Sequence, residues 1–151
     1  MSIRRTRGDD LRSILRIEKR SFARDAWNKE LFLDYLARPD NFLFLTATID
    51  HAVVGYVVAF QGATRAEVDS IAVAPAKRGR GIAVALLKRV IGLLRHQGFR
   101  TVSLNVRLKN KAAIRLYRKL GFQRVRRVNG YYEDGAAAWR MRKSGWGGGC
   151  S

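Results

Sequence analysis

Ser70-Ile71-Ala72-Val73-Ala74-Pro75-Ala76-Lys77-Arg78-Gly79-Arg80-Gly81-Ile82-Ala83-Val84-Ala85-Leu86-Leu87 decides how this 151-residue chain is read. An apolar strand ending near Val73 runs into a short basic loop with two glycines, and the loop opens an amphipathic helix. The first turn of a helix carries backbone N–H groups with no partner inside the helix, at the positive end of its dipole. Gly79 and Gly81 have no Cβ, so an anion can come close to the main chain, and Arg78 and Arg80 add positive charge beside it. The loop therefore reads as a seat for a pyrophosphate. It is not a dinucleotide fingerprint: the third glycine of G-x-G-x-x-G is replaced by Val84, and no acidic residue stands near Gly98-Phe99-Arg100 to hold a ribose. The lysine-bearing phosphate loop of nucleoside triphosphatases is also absent.

Working outward, the chain alternates strand and helix signals. Ile3 to Thr6 predicts a strand. Gly8-Asp9-Asp10 opens a helix with Leu11, Ile14, Leu15, Ile17 and Phe22 at helical spacing, and Asn28 caps a second helix that stops at Pro39. Phe42–Thr48 and Val53–Phe60 read as a hairpin around Asp50-His51, followed by a strand from Arg65 to Val73. The central helix spans about Arg80 to His96 and ends at Gly98. A strand from Thr101 to Val106, a helix capped by Asn110 and closed by Gly121, and a last strand pair (Phe122–Val128 and Ala136–Met141) complete the order. The expected fold class is α+β, a mixed sheet with helices on both faces, in one domain over residues 1–143. Residues 144–151, rich in glycine, read as a disordered tail.

Composition narrows the setting. The chain carries 30 Lys and Arg against 12 Asp and Glu, a formal net charge of +18. Residues 77–151 hold nineteen of the basic residues and two of the acidic ones, Glu133 and Asp134. Such a field attracts anions: it can steer an anionic cofactor, keep the protein soluble, or face a ribosome or nucleic acid. No apolar run is long enough for a membrane span, and Met1 to Arg7 lacks the apolar core of a secretion signal. With one cysteine, Cys150, and no Cys/His spacing suited to a metal, the expectation is a cytoplasmic protein without a metal, monomer or homodimer.

Three stretches carry a family resemblance. Arg78, Gly81 and Ala83 match the acetyl-coenzyme A pattern of the GNAT acyltransferases: Arg or Gln, then Gly three positions on, then Gly or Ala two further. Val106-Arg107 through Asn110, Ala113, Leu116-Tyr117 and Gly121-Phe122 resemble the signature of the RimI-like ribosomal-protein and peptide N-terminal alanine acetyltransferases. Tyr131-Tyr132 is similar to the paired tyrosines of that group, and Phe22 and Trp27 to aromatics at its acceptor mouth. The resemblance implies a GNAT fold with strands splayed at the cofactor site and an acetyl-coenzyme A-dependent N-acetyltransferase. The implied acceptor is a protein or peptide N-terminus, with a small-molecule amine as the alternative. A non-catalytic basic module on the same scaffold is the reading from another class.

The resemblance also implies roles. Ile71, Ala72 and Val73 would hold the pantetheine arm through their backbone, Arg78, Gly79, Arg80, Gly81, Ile82 and Ala83 the pyrophosphate, and Asn110 the arm again. Tyr117 would protonate the leaving thiolate, although its place on the apolar stripe with Ile114 and Leu120 would equally suit a core tyrosine. The family's glutamate before the Val-Arg pair is Asn105 here, and an amide accepts no proton at neutral pH. The base then falls to Glu67, which shares one face of a regular strand with Asp69. That face is either the acceptor cleft or solvent. Phe22, Trp27, Asn105, Tyr131 and Tyr132 are the expected acceptor contacts.

Overall fold

The computed structural model describes residues 1–21 and 28–144; Phe22, Trp27 and the glycine-rich end beyond Ser144 lie outside them. The elements run β1 (Ser2–Arg5), a 3-10 turn (Gly8–Asp10) leading into α1 (Leu11–Ser21), α2 (Lys29–Ala37), β2 (Phe42–Ile49), β3 (Ala52–Gln61), β4 (Ala66–Val73), a second 3-10 turn (Pro75–Lys77), α3 (Ile82–His96), β5 (Thr101–Arg107), α4 (Lys111–Lys119), β6 (Gln123–Val128) and β7 (Ala138–Ser144). The strands form one seven-stranded sheet in the order β1-β2-β3-β4-β5-β7-β6. Every neighbouring pair is antiparallel except β4 with β5. This is the expected α+β architecture with its predicted element order.

Local chemistry explains the boundaries. Asn28 accepts from the Leu31 N–H at 3.0 Å and Asn110 from the Ala113 N–H at 3.2 Å, so each satisfies an orphan donor of the helix it starts. Asp50 and His51 both take positive φ, 50° and 68°, the geometry whose twist matches a tight hairpin. Helix α3 begins at Ile82, not Arg80, because Gly81 stands outside it at φ 79°. The last strand runs Ala138–Ser144, later than the expected Ala136–Met141, and takes in Ser144 from the expected tail. Ladder bonds with β5 hold it in that register, Thr101 facing Ser144 and Arg107 facing Ala138.

Two apolar clusters sandwich the sheet. On one face α3, with Leu86, Leu87, Val90 and Leu94 fully buried, packs over β2 to β5 and meets Tyr117 and Phe122. On the other, Ile14 and Ile17 of α1 and Phe32 and Tyr35 of α2 cover Phe44, Tyr56 and Val58. Each such side chain contributes about 1.5–3 kcal/mol through burial, so the two layers fix both sheet faces.

Two irregularities open the middle of the sheet. Strands β4 and β5 meet at a single register pair, Glu67 with Ser103. Strand β4 also carries an extra residue against β3: Val58 faces Ser70 and Ala59 faces Val68, so Asp69 has no partner in the ladder. The regular strand expected around Glu67 and Asp69 is therefore bulged at Asp69. Bulges bend a strand and re-aim its side chains, and here the bend falls where β4 leaves β5.

Candidate active site

The parting of β4 and β5 leaves a cavity of about 580 Å³. Glu18 and Ser21 reach it from α1, Glu67 through Ile71 from β4, Leu104 through Arg107 from β5, and Asn110 and Tyr117 from the α4 end. Tyr131, Tyr132 and Asp134 close it from the β6–β7 loop. Helices α1 and α4 belong to opposite faces of the sheet. The cavity therefore joins the two faces through the gap between strands.

The basic loop follows the end of β4, outside the lining of this cavity. Gly79 and Gly81 have φ near +80°, a region side chains enter at a cost of roughly 1–2 kcal/mol, and a Cβ built on either would meet nothing within 4 Å. The cradle is thus open as well as glycine-shaped. No side chain caps α3, which leaves the first-turn N–H groups of Ile82 and Ala83 for a ligand. Arg78 does not point freely into this space. Its Nε donates to the Val73 carbonyl at 3.1 Å and its Nη2 to Ser21 Oγ at 3.0 Å, tying the loop to β4 and to the end of α1. Of the three strand residues expected beside the acyl arm, Ile71 lines the cavity, whereas Ala72 and Val73 are buried facing Tyr56 and Gly55 of β3. A long anionic thioester such as acetyl-coenzyme A fits this arrangement: an anion cradle at a helix start and a slot beside an unpaired strand edge.

The titratable groups sit in the slot. Tyr117 is buried, its ring edge-on to Phe122 with centroids 5.9 Å apart. Burial above all, then the charge of Tyr132, pushes its phenol up to about 12, so it holds its proton at neutral pH. Glu67 forms an ion pair with Arg140, Oε1 to Nη1 2.9 Å. Arg140 also donates to Asn105 Oδ1 at 3.4 Å, and Asn105 Nδ2 donates to Tyr131 Oη at 3.2 Å. Asn105 thus links the acid on β4 to the tyrosine loop. Asp69, freed from the ladder, is pushed up to about 7, first by burial and then by the charge of Glu67, against a smaller pull from Arg65.

Four participants were given no role by the sequence: Glu18, Tyr56, Ser70 and Arg107. Glu18 is fully buried in α1 and accepts hydrogen bonds from Tyr56 Oη and, at 3.4 Å, from Ser70 Oγ; Tyr56 Oη and Ser70 Oγ lie 2.9 Å apart. Burial and the Glu18 charge push the Tyr56 phenol far above its usual value, which keeps it a donor. This triad pins α1 to β4 beside the bulge. The one signal was a carboxylate four residues after Ile14 on the buried stripe of the helix. Arg107, the fourth, holds the tyrosine loop: its Nη1 lies 3.1 Å from Asp134 Oδ2 and its guanidinium 4.1 Å from the Tyr132 ring centroid. Tyr131 and Tyr132 stand edge to face, 4.9 Å between centroids. Phe22 and Trp27, the other expected acceptor contacts, lie outside the described residues.

Comparison with known proteins agrees with this geometry. Residues 9–122 match the profile of the acetyltransferase (GNAT) family. The N-alpha-acetyltransferase RimI of Mycobacterium tuberculosis is 39% identical over 124 residues, covering 79% of this chain and 76% of the relative. An N-alpha-acetyltransferase of Saccharolobus solfataricus is 30% identical over 155 residues, covering 94% and 92%. The solved structure of the ribosomal-protein-S18-alanine N-acetyltransferase of Escherichia coli superposes with a TM-score of 0.85 at 29% identity, covering 95% of this chain and 92% of that one.

Proposed function

From the premise that this chain belongs to the acetyltransferase (GNAT) family, close to its RimI-like members, we propose a reaction path through the gap between β4 and β5 and an acceptor class for it. The protein is an acetyl-coenzyme A-dependent N-acetyltransferase. The donor's pyrophosphate is held by Arg78 to Ala83, chiefly through backbone N–H groups at the start of α3, and its arm runs along Ile71, Ala72 and Val73 past Asn110. The donor supplies an acyl carbon already activated as a thioester.

The observation that carries the path is that Asp69, Glu67 and Tyr117, from opposite faces of the sheet, line one cavity. The acceptor nitrogen gives its proton to the Asp69 carboxylate as the C–N bond forms. The C–S bond breaks, and Tyr117 offers its proton to the departing sulfur, then recovers one from solvent. Glu67 serves the base without being the final proton carrier: it is paired with Arg140, and its charge raises Asp69 into the useful range. Asn105, in the place of the family's glutamate, orients Tyr131 and Arg140.

The acceptor is a protein or peptide α-amine. A base near 7 lies about one unit below an α-ammonium and more than three below a lysine side chain, so each proton taken from lysine costs roughly a further two powers of ten. The tyrosine loop, held by Arg107, walls the groove in which the first residues of the acceptor lie. RimI and ribosomal-protein-alanine relatives support the same class. An acetylation screen over peptide N-termini, lysine side chains and small amines, read by mass spectrometry, tests it. Acetylation confined to α-amines of peptides is expected; turnover only on small amines or lysine would reject the acceptor, and no turnover on any amine would reject the path.

A further inference from the structure

Acetyl transfer leaves most of the chain's charge unused. Only two acids stand among residues 77–151, and both belong to the tyrosine loop beside the active-site cavity. On the other side of α4, between that helix and the edge strand β6, lies a second cleft of about 330 Å³. Its lining holds four cations, Lys111, Arg115, Arg118 and Arg124, with Trp139 as its aromatic wall, and no carboxylate among the described residues. The Arg124 guanidinium sits 5.0 Å from the Trp139 ring centroid.

This charge runs against local stability. Lys111 and Arg115 are four apart on α4, and Arg115 is three and four from Arg118 and Lys119, spacings at which like charges repel. Lys111 also occupies the first position of the helix, the positive end of its dipole. Positive charge on an edge strand blocks edge-to-edge pairing, which accounts for β6 but not for α4. Repulsion gathered around an aromatic wall is relieved by a polyanion that also has flat faces to stack.

We propose that the cleft between α4 and β6 docks a single-stranded nucleic-acid segment, its phosphodiesters on Arg115, Arg118, Arg124 and Lys111 and a base against the Trp139–Arg124 stack. Guanidinium forks suit phosphate oxygens in pairs, and a tryptophan face accepts any base. An acidic protein segment would satisfy the charge but leave the aromatic wall unused. The binding goes beyond acetyl transfer and is read without any acetyl donor.

Fluorescence anisotropy with labelled oligo-U and oligo-dT of about a dozen nucleotides, over a range of KCl concentrations, tests this on the full chain. The variant Arg115→Ser/Arg118→Ser/Arg124→Ser is compared with Lys88→Ser/Arg89→Ser/Arg95→Ser, which removes the same charge from exposed positions of α3. At about 0.7 released counterions per single-strand contact, the cleft variant should lose about 2 from the slope of log K against log salt. It should bind about tenfold or more weakly at moderate salt, while the α3 variant keeps its slope. Equal losses in both variants would reduce the effect to bulk charge and overturn the proposal, as would absence of binding by the parent protein. Polyglutamate of matched charge competing as well as oligo-U would overturn it in favour of an acidic protein partner. Preference between oligo-U and oligo-dT identifies RNA or DNA as the source, and either sustains the site. Should the triple variant not fold, photocrosslinking of thiouridine-substituted RNA to the parent protein decides: crosslinks on the peptide holding Trp139 support the cleft, crosslinks only elsewhere reject it.

Discussion

Asp69→Asn separates the catalytic from the structural consequence of one partly buried carboxyl. Burial, then the neighbouring Glu67, raises Asp69 from 3.8 to about 7 in the folded chain. A carboxyl with a higher pKa folded than unfolded favours the native state only while protonated. Its contribution is fully present below about pH 4 and is lost as pH rises through about 7. Roughly three units at 1.36 kcal/mol each set a ceiling of about 4 kcal/mol for the whole loss. About 3 kcal/mol of that falls between about pH 5 and about pH 8, and water in the open cleft halves it to about 1.5 kcal/mol. Asparagine has no charge to lose. Urea unfolding of both proteins across this range should therefore show the stability of the variant gaining on the parent by about 1.5 kcal/mol as pH rises. The same substitution should lower kcat/KM by roughly 10²–10⁴ and abolish the limb near pH 7 along which the parent gains activity as Asp69 ionises. A stability gap that stays constant with pH, together with an unchanged rate profile, would refute both the raised carboxyl and its place in the proton path.

Other perturbations probe the remaining parts. Tyr117→Phe should reduce kcat by roughly 10²-fold or more while calorimetry finds coenzyme A affinity within about twofold, since the ring and its packing on Phe122 survive. Gly81→Ala forces a side chain to φ 79°, costing about 1–2 kcal/mol; coenzyme A binding measured by calorimetry should weaken about tenfold or more, with little change in the KM of the acceptor. Arg140→Gln removes the guanidinium paired with Glu67 and hydrogen-bonded to Asn105, so the charge around Asp69 changes and the rate limb attributed to it should change position in a pH–rate profile. Tyr56→Phe deletes the hydroxyl shared by Glu18 and Ser70; leaving a buried carboxylate short of a donor should cost about 1–3 kcal/mol in urea unfolding.

The parts of the site made by local sequence were legible, and those made by register were not. Gly79, Gly81 and the cap at Asn110 announce themselves because turn and helix-start chemistry depends on a few consecutive residues. The same locality gave the hairpin at Asp50-His51 and the element order. Asp69 reads as one of two alternating acids, and its release from the ladder depends on how Val58 and Ala59 pair with β4, which no pattern within β4 encodes. The Glu18–Tyr56–Ser70 cluster joins residues 38 and 14 positions apart. Arg140, which pairs with Glu67 across 73 positions, reads only as one more basic residue in a basic strand. The end of β7 was set by β5 and not by its own charged residues, Arg142 and Lys143.

A crystal structure of the protein with coenzyme A is the most direct trial of the donor site. The pyrophosphate oxygens should lie within hydrogen-bond distance of the N–H groups at Gly79 to Ala83, with the sulfur in the gap between β4 and β5 near the Tyr117 hydroxyl. Coenzyme A bound against any other surface, with that gap empty, would contradict the account.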